Sequence, residues 1–226
     1  MNILDKQNDI VQYNFPATQY ITEEHSKSQI FLHHTAGNAD AVGVYKFWET
    51  NKERIATCTV IAGKPKKKDS FLDGQIVQGY SSKLWAYHLG LKESTFHNFN
   101  LSYKSLDKFS IALEICNWGQ LTLRGGKYYT WANTVVDESE VIELAKPHRG
   151  YKYYHNYTDA QIVSVEKLLR YWTIRYNIPT TYNEDIFDVC PRALRGEAGI
   201  YTHNSVRYDK VDIYPHPKLI EMLKSL

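Results

Sequence analysis

The chain has 226 residues, of which 43% are hydrophobic and 23% are charged. That length and apolar content are enough to bury a substantial core, and we expect one large domain. The 27 basic and 25 acidic residues nearly cancel to a formal charge of +2, which argues against a dedicated nucleic-acid binder, since such proteins usually carry a strongly basic domain or stripe. Cys58, Cys116 and Cys190 are far apart in the sequence, so neither a disulfide framework nor a structural zinc knot is predicted.

Residues 1–27 are polar, and we predict that they form an irregular arm against the body of the protein. They lack the basic and then apolar pattern of a secretory leader, which favours synthesis in the cytoplasm. No later stretch is apolar over the length needed to cross a bilayer, so membrane insertion is not expected. Residues 28–226 are predicted to form the functional domain.

The segment Gln29–Gly37 is an apolar run that ends in two histidines and a turn-forming Thr-Ala-Gly. Three large apolar residues in succession, from Ile30 to Leu32, are typical of a strand that is covered on both faces. His33 and His34 follow at its carboxyl end. Side chains alternate along a strand, so the two imidazoles should point to opposite faces, one free to hold a ligand while the other packs.

The next elements are predicted from hydrophobic periodicity and turn residues. Asn38 or Asp40 can cap a helix with its apolar residues on one face. Strands are expected over 56–61, 75–78 and 109–118, and an aromatic loop over 84–90 carries His88. In the last of these strands, Ser110, Ala112, Glu114 and Cys116 share one face.

The second half begins with a predicted hairpin whose two-residue turn is Gly125–Gly126. Thr158 opens a capping box for the most regular helix of the chain, which should stop before Pro179. A short strand near 200–203 and a last helix from Pro217 follow. The alternation of strands and helices predicts an α/β fold, with a mixed central β-sheet flanked by helices on both faces.

Three polar features have to be interpreted together: His33, Glu114 and the turn-rich segment 202–212 with His203 and Asp212. Each has an ordinary structural alternative, since histidines pack in cores and a glutamate can lie at the wet end of a strand. If residues 210–212 are extended, Lys210 and Asp212 lie on the same side. Two imidazoles and one carboxylate form the three-ligand pattern of catalytic zinc, which leaves a fourth position open.

Such a site would carry amide hydrolysis. Zinc lowers the pKa of a bound water to about 7 and polarises carbonyls. Glu114 could take the proton of the water and pass it to the leaving nitrogen. Lys210 could stabilise the negative charge that builds on the carbonyl oxygen.

The sequence resembles the zinc-dependent N-acetylmuramoyl-L-alanine amidases related to peptidoglycan recognition proteins and bacteriophage endolysins. Four pieces match in order: residues 30–36, residues 85–90, residues 110–115 with Asn117, and His203 followed by residues 210–212. The resemblance implies a mixed sheet with a zinc cleft. It implies the zinc ligands His33, His203 and Asp212, and it assigns Glu114 and Lys210 to catalysis.

The resemblance has gaps. The run Asp-Pro-Gly-Pro that often follows the third ligand in the family is here Asp-Ile-Tyr-Pro-His, from Asp212 to His216. His34, Asp209 and His216 therefore compete as zinc ligands. Contacts to the substrate are assigned to three residues, namely His88, Asn117 and Trp85. Residues 119–157 form a tyrosine-rich insert without an assigned role, and Cys190 is a weak alternative as a cysteine nucleophile.

These features predict an enzyme that cleaves the amide between N-acetylmuramic acid and L-alanine in bacterial peptidoglycan. We expect it to act as a phage or prophage endolysin that is made in the cytoplasm and reaches the wall after release. The alternatives are a bacterial wall-recycling amidase and a non-catalytic peptidoglycan recognition protein.

Overall fold

The computed structural model describes residues 10–226, and residues 1–9 of the predicted arm lie outside that range. The strands are β1 (Ile10–Gln12), β2 (Gln29–His34), β3 (Thr59–Ile61), β4 (Ile76–Gln78), β5 (Ser110–Ile115), β6 (Gln120–Arg124), β7 (Lys127–Tyr129), β8 (Val135–Val136), β9 (Val141–His148), β10 (Tyr151–His155) and β11 (Gly199–Thr202). The helices are α1 (Ala41–Trp48), α2 (Glu93–His97), α3 (Leu106–Phe109), α4 (Asp159–Tyr176), α5 (Pro191–Leu194) and α6 (Pro217–Lys224).

The main sheet has the strand order β1-β4-β3-β5-β2-β11. Its neighbouring strands are parallel except for the antiparallel pair β3 and β4, so the sheet is mixed. Helices cover both faces of this sheet, as the periodicities predict. Every residue of β2 and β5 is buried, which fits the apolar runs 30–32 and 111–113 in their middles.

The capping box predicted for the longest helix is present. The Thr158 hydroxyl accepts a hydrogen bond from the Gln161 backbone N–H (3.1 Å), and the Gln161 side chain accepts one from the Thr158 N–H (3.2 Å). The helix ends at Asn177, whose left-handed backbone (φ 52°) stops it before Pro179. The sequence therefore places both ends of α4 correctly.

A second sheet lies entirely within the predicted insert. Its order is β8-β7-β6-β10-β9, and all its strands are antiparallel. The hairpin predicted at Gly125–Gly126 joins β6 to β7 as expected. Strands β9 and β10 were not predicted, because β9 contains Pro147 and shows no regular alternation of buried and exposed residues.

The arm was predicted to be irregular, but part of its described region, residues 10–27, forms a strand. Residues 10–12 form β1 and extend the main sheet by pairing in parallel with β4. Phe15 is buried in the core, with its ring 5.1 Å from that of Tyr45. Within residues 10–226, no helix is long and apolar enough to cross a membrane.

Candidate metal centre and active-site cleft

Three side chains converge at the carboxyl ends of β2 and β11. His33 Nδ1 lies 3.1 Å from His203 Nδ1 and 3.3 Å from Asp212 Oδ2, and His203 Nδ1 lies 3.0 Å from the same oxygen. Both histidines are buried, and the Asp212 side chain is 14% exposed. Within residues 10–226, this trio is the group of His, Cys, Asp and Glu side chains arranged to hold a metal ion.

The sheet itself brings the two histidines together. In the parallel pair β2 and β11, Leu32 is aligned with Thr202, and in both segments the next residue is a histidine. His203 then opens a short 3-10 turn over His203–Ser205. Residues separated by 170 positions in the sequence thereby become neighbours.

Asp212 is held in place through the residues around it. The Asn204 side-chain amide, next to His203, donates to the Ile213 carbonyl oxygen (2.6 Å). The ring of Tyr214 is stacked between Tyr154 (4.2 Å between centroids) and Tyr157 (4.7 Å). Since Tyr154 belongs to β10, the second sheet helps to position the third candidate ligand.

His88 determines which nitrogen of His33 carries the proton. The Ser110 hydroxyl donates to the Leu106 carbonyl oxygen (2.9 Å), so its oxygen accepts the hydrogen bond from His88 Nε2 (2.8 Å). Burial lowers the pKa of His88 well below its usual value, so the ring is neutral and its Nδ1 is an acceptor. His33 Nε2 therefore donates to His88 Nδ1 (3.1 Å), which leaves His33 Nδ1 without a proton.

The tautomer of His203 is fixed in the same way. Its Nε2 lies 3.1 Å from the Leu89 carbonyl oxygen, which can only accept, so Nε2 carries the proton. The Asp107 carboxylate secures this loop by accepting the backbone N–H groups of His88 (2.8 Å) and Leu89 (3.0 Å). When both rings are neutral, both Nδ1 atoms present lone pairs toward Asp212.

These three residues fit a zinc ion. Three acceptor atoms in mutual contact repel one another, and a cation between them removes that repulsion. Metal-binding histidines commonly donate the other ring N–H to a carbonyl or a neighbouring side chain, as both rings do here. In a tetrahedral zinc site with bonds of about 2.0–2.1 Å, ligand atoms are about 3.3 Å apart. The observed separations of 3.0–3.3 Å are close to that value.

The charges of the trio are strongly coupled. Burial by itself would raise the pKa of Asp212, but the charge and the hydrogen bonds that His203 and His33 offer when protonated hold it well below its usual value. Burial, followed by the influence of His203, lowers the pKa of His33 to about 4. The carboxylate is therefore ionised and the His33 ring neutral near pH 7, which are the forms that bind metal.

Glu114 lies beside the trio, because β5 aligns it with His33 on β2. Burial and the negative charge of Asp212 raise the pKa of Glu114 well above its usual value, and Lys210 counteracts them. Residues 210–212 belong to no regular strand or helix, and Val211 lines the cleft together with its neighbours. Lys210 lies on the same cleft as the candidate ligands.

The trio opens into a cleft of about 900 Å³. One part of its lining comes from β2, β5 and the 209–212 loop and contains all its carboxylates and its one lysine. The other part comes from α1, the loop after β2, residues 55–57, Trp118 and the turn between β7 and β8, and it is mostly apolar. Its large aromatic residues are Phe47, Trp48, Trp118 and Trp131.

The competing candidates lie outside the trio. His34 points to the opposite face of the sheet, as predicted, where its Nδ1 is 2.9 Å from the Tyr157 hydroxyl. Asp209 forms an ion pair with Arg207. His216 caps α6, with Nδ1 accepting from the Leu219 N–H (3.4 Å). Cys190 is buried and burial raises its pKa, which is unfavourable for a nucleophile.

The residues predicted to contact substrate have different positions. His88 lines the cleft and contacts His33. Trp85 is not among the lining residues and packs against Tyr87. Asn117 is buried, and its amide donates to the carbonyl oxygens of His155 (3.0 Å) and Asn156 (3.3 Å), so it ties the end of β5 to the second sheet.

Sequence reasoning missed the residues that orient the ligands. The pattern that places Ser110 on the same face as Glu114 is the one signal that could have identified the serine. Asp107 and the Leu89 carbonyl carry no signal of their own, because their roles depend on how the 84–90 loop folds against α3 and β5.

A model of the family described as N-acetylmuramoyl-L-alanine amidase matches residues 24–217, which include the whole trio, Glu114 and Lys210. The chain belongs to this amidase family. Membership identifies it as an enzyme, and the mixed α/β fold agrees with that assignment. No curated protein sequence matches this amidase significantly.

Solved structures with a similar fold include PlyL, at 15% identity and a TM-score of 0.51, over 96% of this amidase and 95% of PlyL. The catalytic domain of XlyA is 13% identical with a TM-score of 0.48, over 96% of this chain and 97% of that domain. AmiD from E. coli, solved with an anhydro-N-acetylmuramic acid peptide, is 17% identical with a TM-score of 0.40, over 70% of this chain and 48% of AmiD. At these identities the likeness to PlyL shows the fold alone.

Proposed function

We propose that this amidase hydrolyses the bond between the lactyl group of N-acetylmuramic acid and the L-alanine of the stem peptide in peptidoglycan, with zinc held by His33, His203 and Asp212. The observation that carries the proposal is the trio itself. Its hydrogen bonds set both imidazoles in the tautomer that directs lone pairs at one carboxylate oxygen. Zinc bound there would supply Lewis acidity and lower the pKa of a bound water.

The other residues of the cleft supply proton transfer and charge. Glu114 accepts a proton from the attacking water and delivers it to the leaving nitrogen, because its carboxyl lies beside the trio and is nearly buried. Lys210 stabilises the negative charge that develops on the carbonyl oxygen. The buried setting strengthens both effects, since fewer water molecules screen the charges.

We further propose that the amidase acts on the polymeric wall, as an endolysin that is made in the cytoplasm and reaches the wall after release. The support is the size of the cleft, which at about 900 Å³ lies near the upper end of small-molecule sites and continues past the trio along α1 and the second sheet. A recycling amidase would instead prefer soluble muropeptides. Comparing kcat/KM on purified wall sacculi and on soluble muropeptides separates the two roles.

The central test uses purified protein and purified walls. Cleavage should release peptides with a free L-alanine amino terminus, stop with a chelator and return when zinc is added. Glu114→Gln should retain one zinc per chain and lose most of the turnover. A non-catalytic recognition protein would bind the walls without releasing such peptides, and that result would refute the proposed function.

A further inference from the structure

Two exposed aromatic side chains line the apolar part of the cleft. Phe47 on α1 is 71% exposed, and Trp131 in the turn between β7 and β8 is 66% exposed. Single exposed apolar residues are normal on protein surfaces. These two rings differ from that case, because they belong to different elements and yet line the same cleft as the trio. They leave apolar area available to a ligand.

The turn that carries Trp131 is fixed before any ligand arrives. The Asn133 N–H donates to the Thr130 carbonyl oxygen (3.0 Å), and the Thr130 N–H donates to the Thr134 carbonyl oxygen (2.9 Å). Asn133 has a left-handed backbone (φ 59°), and its side chain accepts from Arg124 (2.8 Å). A turn braced in this way loses little conformational entropy on binding.

The indole of Trp131 has its own polar group already satisfied. Its Nε1–H donates to the Ala36 carbonyl oxygen (2.6 Å), in the loop that follows β2. Ala36 is three residues after His33, and three residues of extended chain span at most about 11 Å, so the indole is held close to His33. The ring is thus anchored near the trio while 66% of its surface remains exposed.

We propose that Trp131 and Phe47 form a glycan subsite, which binds the apolar face of an uncharged sugar ring of the peptidoglycan strand. This inference rests on the proposed function. The charge distribution favours a sugar over the acidic stem peptide, because the charged lining residues belong to β5 and the 209–212 loop, whereas none comes from the segments that carry the two aromatic rings. Flat apolar faces and limited flexibility make aromatic side chains suitable platforms for such rings.

The test measures equilibrium binding of the full chain to glycan strands from which all stem peptides have been removed, by isothermal titration calorimetry. Trp131→Ala should weaken this binding about fivefold or more, the loss expected for one aromatic stacking platform. Binding of free stem peptide should not change. Tyr103→Ala is the matched control, because Tyr103 is 51% exposed and does not line the cleft.

Trp131→Phe separates stacking from the hydrogen bond to Ala36. It keeps an aromatic face but cannot donate, so glycan affinity should stay within about threefold of the original. On wall fragments, Trp131→Ala should raise KM while kcat stays within about twofold.

The inference is overturned if the unaltered protein does not bind peptide-free glycan, if Trp131→Ala weakens only peptide binding, or if Trp131→Phe is as damaging as Trp131→Ala. These outcomes are independent of turnover. Failure of the proposed function would show instead as no release of L-alanine-terminated peptides by the unaltered protein.

Discussion

Removing the Ser110 hydroxyl should weaken zinc binding although Ser110 does not touch the metal site. In Ser110→Ala, His88 Nε2 loses its acceptor, and the buried ring can satisfy itself by moving its proton to Nδ1. His33 Nε2 would then have to accept, which puts the His33 proton on the nitrogen that faces Asp212. That tautomer cannot bind a metal through Nδ1.

The structure sets the size of this effect. For Ser110→Ala to return to the metal-binding tautomer, it must either lose one hydrogen bond or bury one donor without an acceptor, which costs about 1–3 kcal/mol. Partners that orient metal-bound histidines typically contribute a similar amount, about 10- to 100-fold in affinity. We therefore expect the zinc dissociation constant of Ser110→Ala to rise by about 10- to 100-fold.

Competition with a chromophoric chelator measures that constant, and nitrogen-15 NMR of the imidazoles reports the tautomers directly. Ser110→Thr keeps the hydroxyl and should recover most of the affinity. Ser164→Ala is the control, because its hydroxyl also donates to a carbonyl oxygen, that of Gly74 (2.6 Å), but contacts no histidine. Unchanged affinity and tautomers in Ser110→Ala would refute the assignment of protons at the trio.

Four further predictions follow from other contacts. Glu114→Gln should keep zinc affinity within about threefold and lower kcat by about 10²- to 10⁴-fold, because it removes proton transfer, as steady-state kinetics would show. Lys210→Ala should lower kcat by about 10²- to 10³-fold by removing charge stabilisation, with partial recovery in Lys210→Arg. Gly119→Ala should reduce the free energy of unfolding by about 1–3 kcal/mol in urea melts, because φ is +73° there and an added Cβ would lie 2.6 Å from His34 Nε2. The free energy of unfolding should also fall as pH drops from about 6.5 to about 4, and less so in His216→Asn. Burial and, to a smaller extent, the charge of Lys218 lower the pKa of His216 in the folded protein to about 4. As the pH falls, His216 therefore takes up a proton in the unfolded chain before it does so in the folded protein, and this favours unfolding.

Each of these predictions has an outcome that contradicts it. An active Glu114→Gln enzyme would remove Glu114 from proton transfer, and a Lys210→Ala variant that changes KM alone would make Lys210 a binding residue. Gly126→Ala is the control for Gly119→Ala. Gly126 has a similar positive φ (+74°), but an added Cβ there would meet no atom within 4 Å, so this variant measures backbone strain without a clash. Equal acid sensitivity in His216→Asn would assign the pH effect to other groups.

The regular elements could be predicted because local patterns determine them. The apolar run of β2, the capping box of Thr158 and the Gly125–Gly126 turn each require only neighbouring residues. The alternation of side chains on β2 also placed His33 and His34 on opposite faces correctly.

The remaining parts of the site depend on contacts between distant segments. Nothing near Trp131 in the sequence indicates that its indole reaches Ala36, 95 positions earlier. The path of the 210–212 loop depends on the hydrogen bond from Asn204 to Ile213 and on the stacking of Tyr214. Such tertiary contacts override local propensity.

The edge position of β11 has a consequence for how the protein is made. β2 is paired with β5 on one side and with β11 on the other, and β11 is formed from residues 199–202. Until that last strand leaves the ribosome, the apolar β2 keeps one row of backbone groups open, which is the kind of edge that invites aggregation. His203 and Asp212 follow that strand in the sequence, so the nascent chain acquires its metal-binding capacity only after β2 can be paired on both sides.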